Sequence, residues 1–481
     1  MIVSVVSLAN YKSGLCPRVV FVSYAGDRTV SQQLQGSIIS DYLTRTASSR
    51  KMQLDASRVI PGGTQRSFKN YVKYPIRLKR GCGSKFYDID ENEYIDYYLG
   101  SGPLILGHAH PSVLAAVRSQ LEMGTQFMPA HEQDVELAKK IVMHGYGDMV
   151  RFTTTGSAAC LFAVRLARAF TKRPKTIKFE GAYHGNAFPI SNSPPLERVG
   201  TEERPNCIPD SAGLLPAEIE NTIVLPFNNI GALERVLETE GHEIAAILME
   251  PFMRACPPGD GYLSKIRALT QEHGVLLIFD EIVTNYRLGL GGAQEYYKVK
   301  ADLVTLGKIV GGGFPIGAVA GKKEVMMLAD ANRKGEKDFV YYAGTFNANP
   351  IACVAGLATI TELEKRGVYE RLNAVGDRLR KGLKDAAEDN KEVAQVTGVG
   401  SLWHIFFTDK QVYDYRTAAS ADHSKLMDFH TGLILRSVYP LLGGRSYISV
   451  VHTDEDVEKT INAFYESMKH IGDADVRSVW K

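Results

Sequence analysis

The sequence predicts an α/β protein: a large domain on a mainly parallel sheet covered by helices, plus a smaller α+β domain. Two observations carry that expectation. Between residues 149 and 320, short and almost wholly apolar runs recur at helix-length intervals. Strands that read as continuous apolar runs belong to parallel sheets buried on both faces. After Pro350 the pattern changes to long helical stretches followed by isolated strand-like segments. Composition agrees: the 481 residues are 44% hydrophobic and 23% charged. That balance excludes a disordered chain, and the length suffices to bury a core without staples.

Taken in order, residues 1–50 show no steady period and read as an irregular N-terminal extension. Residues 51–100 are expected to be the N-terminal part of the small domain. There Lys85-Phe86-Tyr87-Asp88-Ile89-Asp90 alternates, Glu91-Asn92-Glu93 turns, and Tyr94-Ile95-Asp96-Tyr97-Tyr98 continues, a strand–turn–strand pattern. The large domain is placed at 101–345. Pro111 opens a helix through residue 122. The strand candidates are 149–152, 176–179, 244–249, 275–279, 303–306 and 318–320. Ligands of such sheets sit beyond the carboxyl ends of the strands. The C-terminal small α+β domain, 346–481, begins with two helical stretches running to about 390, striped by Leu363, Leu372, Val375, Leu379 and Leu383. Strands at 400–407 and 447–451 follow, then a helix from Asp454.

Lys plus Arg number 56 against 54 Asp plus Glu, a net charge of +2. No strong field is available to gather nucleic acid or an anionic membrane. None of the six cysteines forms a Cys-x-x-Cys pair, which argues against a zinc site, so no metal is expected. Their scatter suggests reduced thiols in a reducing compartment. No apolar run reaches the roughly 18 residues of a membrane helix. The N-terminus lacks the basic lead-in of a secretory signal. Its first 26 residues hold Lys12 and Arg18 but no acid, which permits an organellar presequence; a cytoplasmic enzyme is the simpler expectation.

Four features fall at expected strand ends. Thr154-Thr155-Gly156-Ser157-Ala158-Ala159 opens a helix-length run; its free backbone N–H groups suit a phosphate, although from these residues alone the plainer reading is Ser157 as an N-cap beside a turn glycine. Asp280 ends the apolar run 275–279. A carboxylate there needs a cationic partner, either a protonated ring nitrogen or an arginine such as Arg287. Lys308 sits in Leu306-Gly307-Lys308-Ile309-Val310-Gly311. Burial would lower its pKa and make it a Schiff-base nucleophile, while exposure would make it an ordinary turn lysine. Gly181-Ala182-Tyr183-His184-Gly185 presents a turn aromatic, which either stacks on a planar cofactor or packs under a loop. Competing motifs fail. A dinucleotide fingerprint starting at Gly311 needs glycine where Ile316 stands, and a Walker A loop around Lys308 meets Asp302 and Ile309.

Together, Thr154 through Ala159, Tyr183-His184-Gly185, Glu250-Pro251, Asp280-Glu281-Ile282, Lys308 and Gly344-Thr345 resemble the class III pyridoxal-phosphate-dependent aminotransferases. The subgroup resembled is that of glutamate-1-semialdehyde aminomutase and the β-amino-acid aminotransferases. The resemblance spans roughly 55–470 and includes Ile60-Pro61-Gly62-Gly63 and Gly107-His108-Ala109-His110-Pro111. It implies fold type I and pyridoxal 5′-phosphate as cofactor. It also implies Lys308 as the Schiff-base lysine and proton shuttle, and Asp280 as the partner of the pyridine nitrogen. Tyr183 and Ile282 would flank the ring, with His184 in the same cofactor-binding set. Gly156 and Ser157 would hold the phosphate, and Glu250 would order the hydrogen bonds near O3′. Thr345 would reach the phosphate of a neighbouring subunit, which implies a homodimer. Without the resemblance, Thr345 is a turn residue and Glu250 a strand-end carboxylate.

Transaminase and aminomutase share this chemistry, and three departures favour the transaminase. The aminomutase pattern Gly-Ser-Trp-Gly-Pro is here Gly100-Ser101-Gly102-Pro103, without the tryptophan. Phe252-Met253-Arg254-Ala255 replaces the aminomutase segment containing Gly-Asn, and Arg66 and Lys69 stand where it carries Ser and Arg. Arg66 and Arg445 resemble the carboxylate-binding arginines of the β-amino-acid aminotransferases, and a guanidinium grips a carboxylate in two bonds. Each reads equally as a structural arginine. If both are structural, an amino-polyol or amino-sugar acceptor fits better. The aminomutase remains the alternative, and a catalytically retired binding protein on the same fold is the third.

Overall fold

The structure, a computed structural model, describes residues 38–65, 71–128 and 130–480. Strands β1 (Leu78–Cys82), β2 (Lys85–Asp88) and β3 (Glu93–Asp96) form the antiparallel meander that the alternation predicts. Phe86 and Asp88 of β2 are buried while Lys85 and Tyr87 are half-buried.

Seven strands form the central sheet: β4 (Met149–Thr153), β5 (Lys175–Phe179), β6 (Thr222–Leu225), β7 (Ile244–Met249), β8 (Leu276–Asp280), β9 (Leu303–Gly307) and β10 (Gly317–Gly321). Their order is β4-β10-β9-β8-β7-β5-β6. The pairs from β6 through β9 are parallel, and β10 runs antiparallel between β9 and β4. Only the nine residues 308–316 join β9 to β10, fewer than a parallel crossover needs. Strand β6 is not among the expected strands, its four residues being too few to show a period.

Every residue of β7, β8, β9 and β10 is buried, which is why these strands read as continuous apolar runs. Each buried Ile, Leu or Met contributes about 1.5–3 kcal/mol. The two faces are covered separately. Helix Gly156–Thr171 packs Phe162, Ala163 and Leu166 with Ala246, Leu248 and Ile278. Helices Ile230–Glu240 and Tyr262–Glu272 pack Leu233, Leu237 and Ile266 with Ile247, Met249 and Leu277. Neighbouring residues of one strand thus serve opposite layers.

Helices Pro350–Leu363 and Val368–Asp389 follow as expected. Beyond them β11 (Gln395–Thr397) and β12 (Leu402–Phe406) pair antiparallel. Strand β13 (Val438–Tyr439) returns to run parallel with β3, so the N-terminal meander and the C-terminal segment share a sheet. Strand β14 (Ser446–Tyr447) pairs with β12. The strand expected over 447–451 therefore stops early. There the Ser449 N–H donates to His452 Nδ1 at 3.0 Å instead of joining a ladder. Helix Asp454–Met468 comes next.

The stretch 1–50, read as irregular, carries helix Ile38–Arg45 and the start of helix Ala47–Ala56. Distant partners stabilise them. Thr46 Oγ1 lies 2.7 Å from the Tyr74 hydroxyl, and Arg45 Nη1 donates to Leu435 O at 3.1 Å. Cys160, Cys207, Cys256 and Cys353 are free thiols, whereas Cys82 is disulfide-bonded, contrary to the expectation of reduced cysteines. Among the described residues no helix is long and apolar enough to cross a membrane.

One buried histidine sets a pH response. His404 on β12 is 4% exposed and its Nδ1 has no partner among the described residues. Burial pushes its imidazole down to about 4; a Gly444 backbone hydrogen bond opposes this, and Arg445 and His423 add to it. The folded value lies below the ordinary 6.5, so the unfolded chain binds the extra proton between them. Its contribution is complete above 6.5 and is lost as pH falls toward 4, by about 3 kcal/mol. Denaturant melts across that window should show a shallower acid decline for His404→Phe. An unchanged slope would refute the assignment.

Candidate active site

Five strand ends converge at one edge of the central sheet. Since β4 and β9 both oppose β10, they point the same way, together with β5, β7 and β8. The residues at or just past their carboxyl ends include Gly156, Tyr183, Glu250, Asp280 and Lys308.

After β4 the chain enters helix Gly156–Thr171 at once. Thr155, not Ser157, caps it, its Oγ1 accepting from the Ala158 N–H at 3.1 Å. Ser157 Oγ accepts from the Asn186 N–H at 3.1 Å. The opening N–H groups have no intrahelical acceptor and face the positive dipole end, as an anion site requires. Gly156 is required by close approach, since a Cβ there would lie 2.4 Å from Ile282 Cδ1. Gly185 has φ +69° and a Cβ would meet Ser157 Oγ at 1.9 Å.

Asp280 is 4% exposed and collects four donors. Its Oδ2 is 2.6 Å from His184 Nδ1 and 3.4 Å from Cys160 Sγ. Its Oδ1 accepts from the Ile282 N–H at 3.1 Å and from Thr305 Oγ1 at 3.3 Å. Arg287 is not its partner. That side chain donates instead to Ser401 Oγ at 2.9 Å, Ile448 O at 3.1 Å and Gly102 O at 2.5 Å. His184 is fully buried and its Nε2 has no partner among the described residues.

Lys308 begins the 3₁₀ turn Lys308–Gly311 with φ +53°, a left-handed conformation costing about 1–2 kcal/mol in a non-glycine residue. It is half-buried rather than a solvated turn lysine. Burial lowers its pKa below the ordinary lysine value. Arg445 lowers it further, against Tyr447, Glu250 and Asp280.

Glu250 follows β7. Its Oε1 accepts from the Tyr183 N–H at 3.0 Å and its Oε2 from Arg445 Nη2 at 3.1 Å. Burial raises its carboxyl pKa, but Arg445, His184 and Arg254 outweigh that and hold it below the usual range. Arg445 is 9% exposed and also donates to Phe252 O at 3.3 Å and to Arg254 O. Tyr183 is 43% exposed. Thr345 lies apart on an exposed segment, its carbonyl accepting from Gln126 Nε2. Arg66 falls outside the described residues.

Cys160, Thr305 and Tyr447 join the site without having been expected from the sequence. Cys160 lies one helical turn beyond Gly156, so the helix spacing carries that signal. Thr305 meets Asp280 only through the β8–β9 register. Tyr447 is buried, and its phenol pKa is lowered: burial raises it, but Lys308 and Arg445 prevail.

A family model described as aminotransferase class-III matches residues 67–465. The chain belongs to that family. Glutamate-1-semialdehyde 2,1-aminomutase 2 of Brevibacillus brevis is 40% identical over 431 residues, 88% of this chain and 98% of that one. The crystal structure of an omega-transaminase from Sphaerobacter thermophilus superposes with a TM-score of 0.84 at 33% identity, covering 89% of this chain and 98% of that one. A beta-phenylalanine aminotransferase from Variovorax paradoxus gives a TM-score of 0.81 at 28% identity, covering 91% and 97%. The fold is therefore type I of the pyridoxal-phosphate enzymes, and membership makes pyridoxal 5′-phosphate the cofactor. The residues of this family member fit that group. Helix Gly156–Thr171 opens on free backbone N–H groups, Asp280 ends β8, and Lys308, of lowered pKa, directly follows β9.

Proposed function

We propose that this class III enzyme moves an amino group from one small amine to a separate keto or aldehyde acceptor, with a carboxylate-bearing partner such as a β-amino acid in at least one half. The observation that carries the reading is Lys308, which directly follows β9 beside β8, the strand that ends in Asp280, and whose pKa is lowered by burial. When bound, pyridoxal phosphate supplies an electron-accepting ring. The protein does the rest. Lys308 would hold the cofactor through its amine and carry a proton to and from the substrate carbon. Asp280 would keep the ring nitrogen protonated, its own orientation fixed by the donors His184, Thr305 and Ile282. Gly156 and Ser157 would hold the phosphate, Tyr183 and Ile282 would bound the ring, and Glu250 would order the groups near O3′. A second copy would supply Thr345, and the exposed Tyr341 (65%) and Phe346 (60%) beside it suit such an interface.

The Arg445–Glu250 pair favours intermolecular transfer. Exchanging the Glu250 carboxylate for that of a substrate keeps the guanidinium paired in both states. A donor and an acceptor of different charge can then use one site in turn. The missing tryptophan near Gly102 and the Phe252-Met253-Arg254 segment support the same reading. The aminomutase stands second, because relatives about 40% identical carry that name. Offering glutamate-1-semialdehyde without any added amino partner separates them. Rapid isomerisation would establish the aminomutase. Its absence, with α-, β- or ω-amino compounds converting the cofactor to its amine form, would establish the transaminase. Arg445→Gln should raise KM for carboxylate substrates about 10- to 100-fold while sparing amines that lack one. Equal effects on both would remove Arg445 from substrate recognition.

A further inference from the structure

Asp280 poses an accounting problem. A carboxylate offers about four acceptor positions, and four donors already occupy them: His184 Nδ1, Cys160 Sγ, the Ile282 N–H and Thr305 Oγ1. A protonated ring nitrogen would be the fifth. A fifth donor exceeds that approximate capacity, so docking of the ring nitrogen favours withdrawal of one of the four.

Two of the four cannot do so. The Ile282 N–H is backbone. His184 is fully buried and sits at 2.6 Å, the shortest of the four contacts. The other two are rotors. Thr305 donates at 3.3 Å, and Cys160, on the facing helix and 0% exposed, donates at 3.4 Å. A thiol is the weaker donor. Cys160 also has somewhere to turn, because its Sγ lies 3.6 Å from Thr305 Oγ1. A rotation about one bond moves the S–H from the carboxylate to the threonine hydroxyl without moving the backbone.

Resting on the reading of Asp280 as the ring-nitrogen partner, we propose that Cys160 is a positioning residue that holds Asp280 in the cofactor-free protein. It yields that place to the ring nitrogen by turning to Thr305. The thiol is then chosen for its weakness. It satisfies a buried carboxylate before loading yet gives way without a large cost. A serine hydroxyl in its place would compete with the ring nitrogen as a stronger donor.

The test uses the full chain stripped of cofactor and titrated with pyridoxal phosphate. Cys160→Ser is expected to weaken cofactor affinity on the order of tenfold, and Cys160→Ala to match or exceed the parent. Infrared spectra supply a readout independent of activity. The S–H stretch missing from Cys160→Ala should move to higher frequency in the parent on loading, as its bond to a carboxylate becomes a bond to a hydroxyl. An S–H band unmoved by loading would overturn the proposal. So would weakened binding in Cys160→Ala that serine restores. Failure of the underlying reading is visible separately: Asp280→Ala would then bind pyridoxal phosphate as tightly as the parent.

Discussion

Replacing Lys308 with alanine is expected to lower turnover by more than about 10⁴-fold, because on the proposed reading it would remove both the covalent attachment and the proton carrier. Its position supports so large an effect. Strand β9 delivers the residue in a left-handed conformation that a flexible turn would not sustain, and burial lowers its pKa. Purified Lys308→Ala should lose the visible absorbance of lysine-bound cofactor. A small primary amine added to the solution should restore part of the proton transfer and none of the attachment. Turnover within tenfold of the parent, or an unchanged absorbance, would remove Lys308 from the chemistry.

The second large effect is expected at Asp280. Asparagine keeps the shape and loses the charge. Its Nδ2 would also be a donor facing other donors, whichever way the amide turns: His184 Nδ1 and Cys160 Sγ on one side, Ile282 N–H and Thr305 Oγ1 on the other. The ring nitrogen would lose its proton-holding partner. We expect kcat to fall about 10²- to 10³-fold and the cofactor to dissociate more readily. Measuring kcat at saturating pyridoxal phosphate separates the two losses. A full-rate Asp280→Asn at saturating cofactor would contradict the assignment.

The four features chosen from the sequence lie near one another because the chain reads as strands, and strands of a parallel sheet end on one edge. Periodicity alone placed β4, β5, β7, β8, β9 and β10 to within two residues. It missed β6, a short edge strand, and the helices before residue 56, whose side chains are satisfied by Tyr74 and Leu435. Only packing shows where Asp280 and Lys308 find their neighbours. Arg287 is close to Asp280 in sequence yet spends its donors on Ser401, Ile448 and Gly102. Lys308 could have been solvated until the fold half-buried it beside Tyr447.

Local pattern specified the layered α/β architecture, the helix that opens at Gly156, and the acid and lysine at neighbouring strand ends. These depend on alternation, run length and turn chemistry over a few residues. Tertiary structure decided which groups touch. Cys160 and Thr305 reach Asp280 across a helix and a strand register, and Arg445 reaches Glu250 across 195 residues of chain. Contacts of that kind follow from how layers stack, and no short stretch of sequence records the stacking.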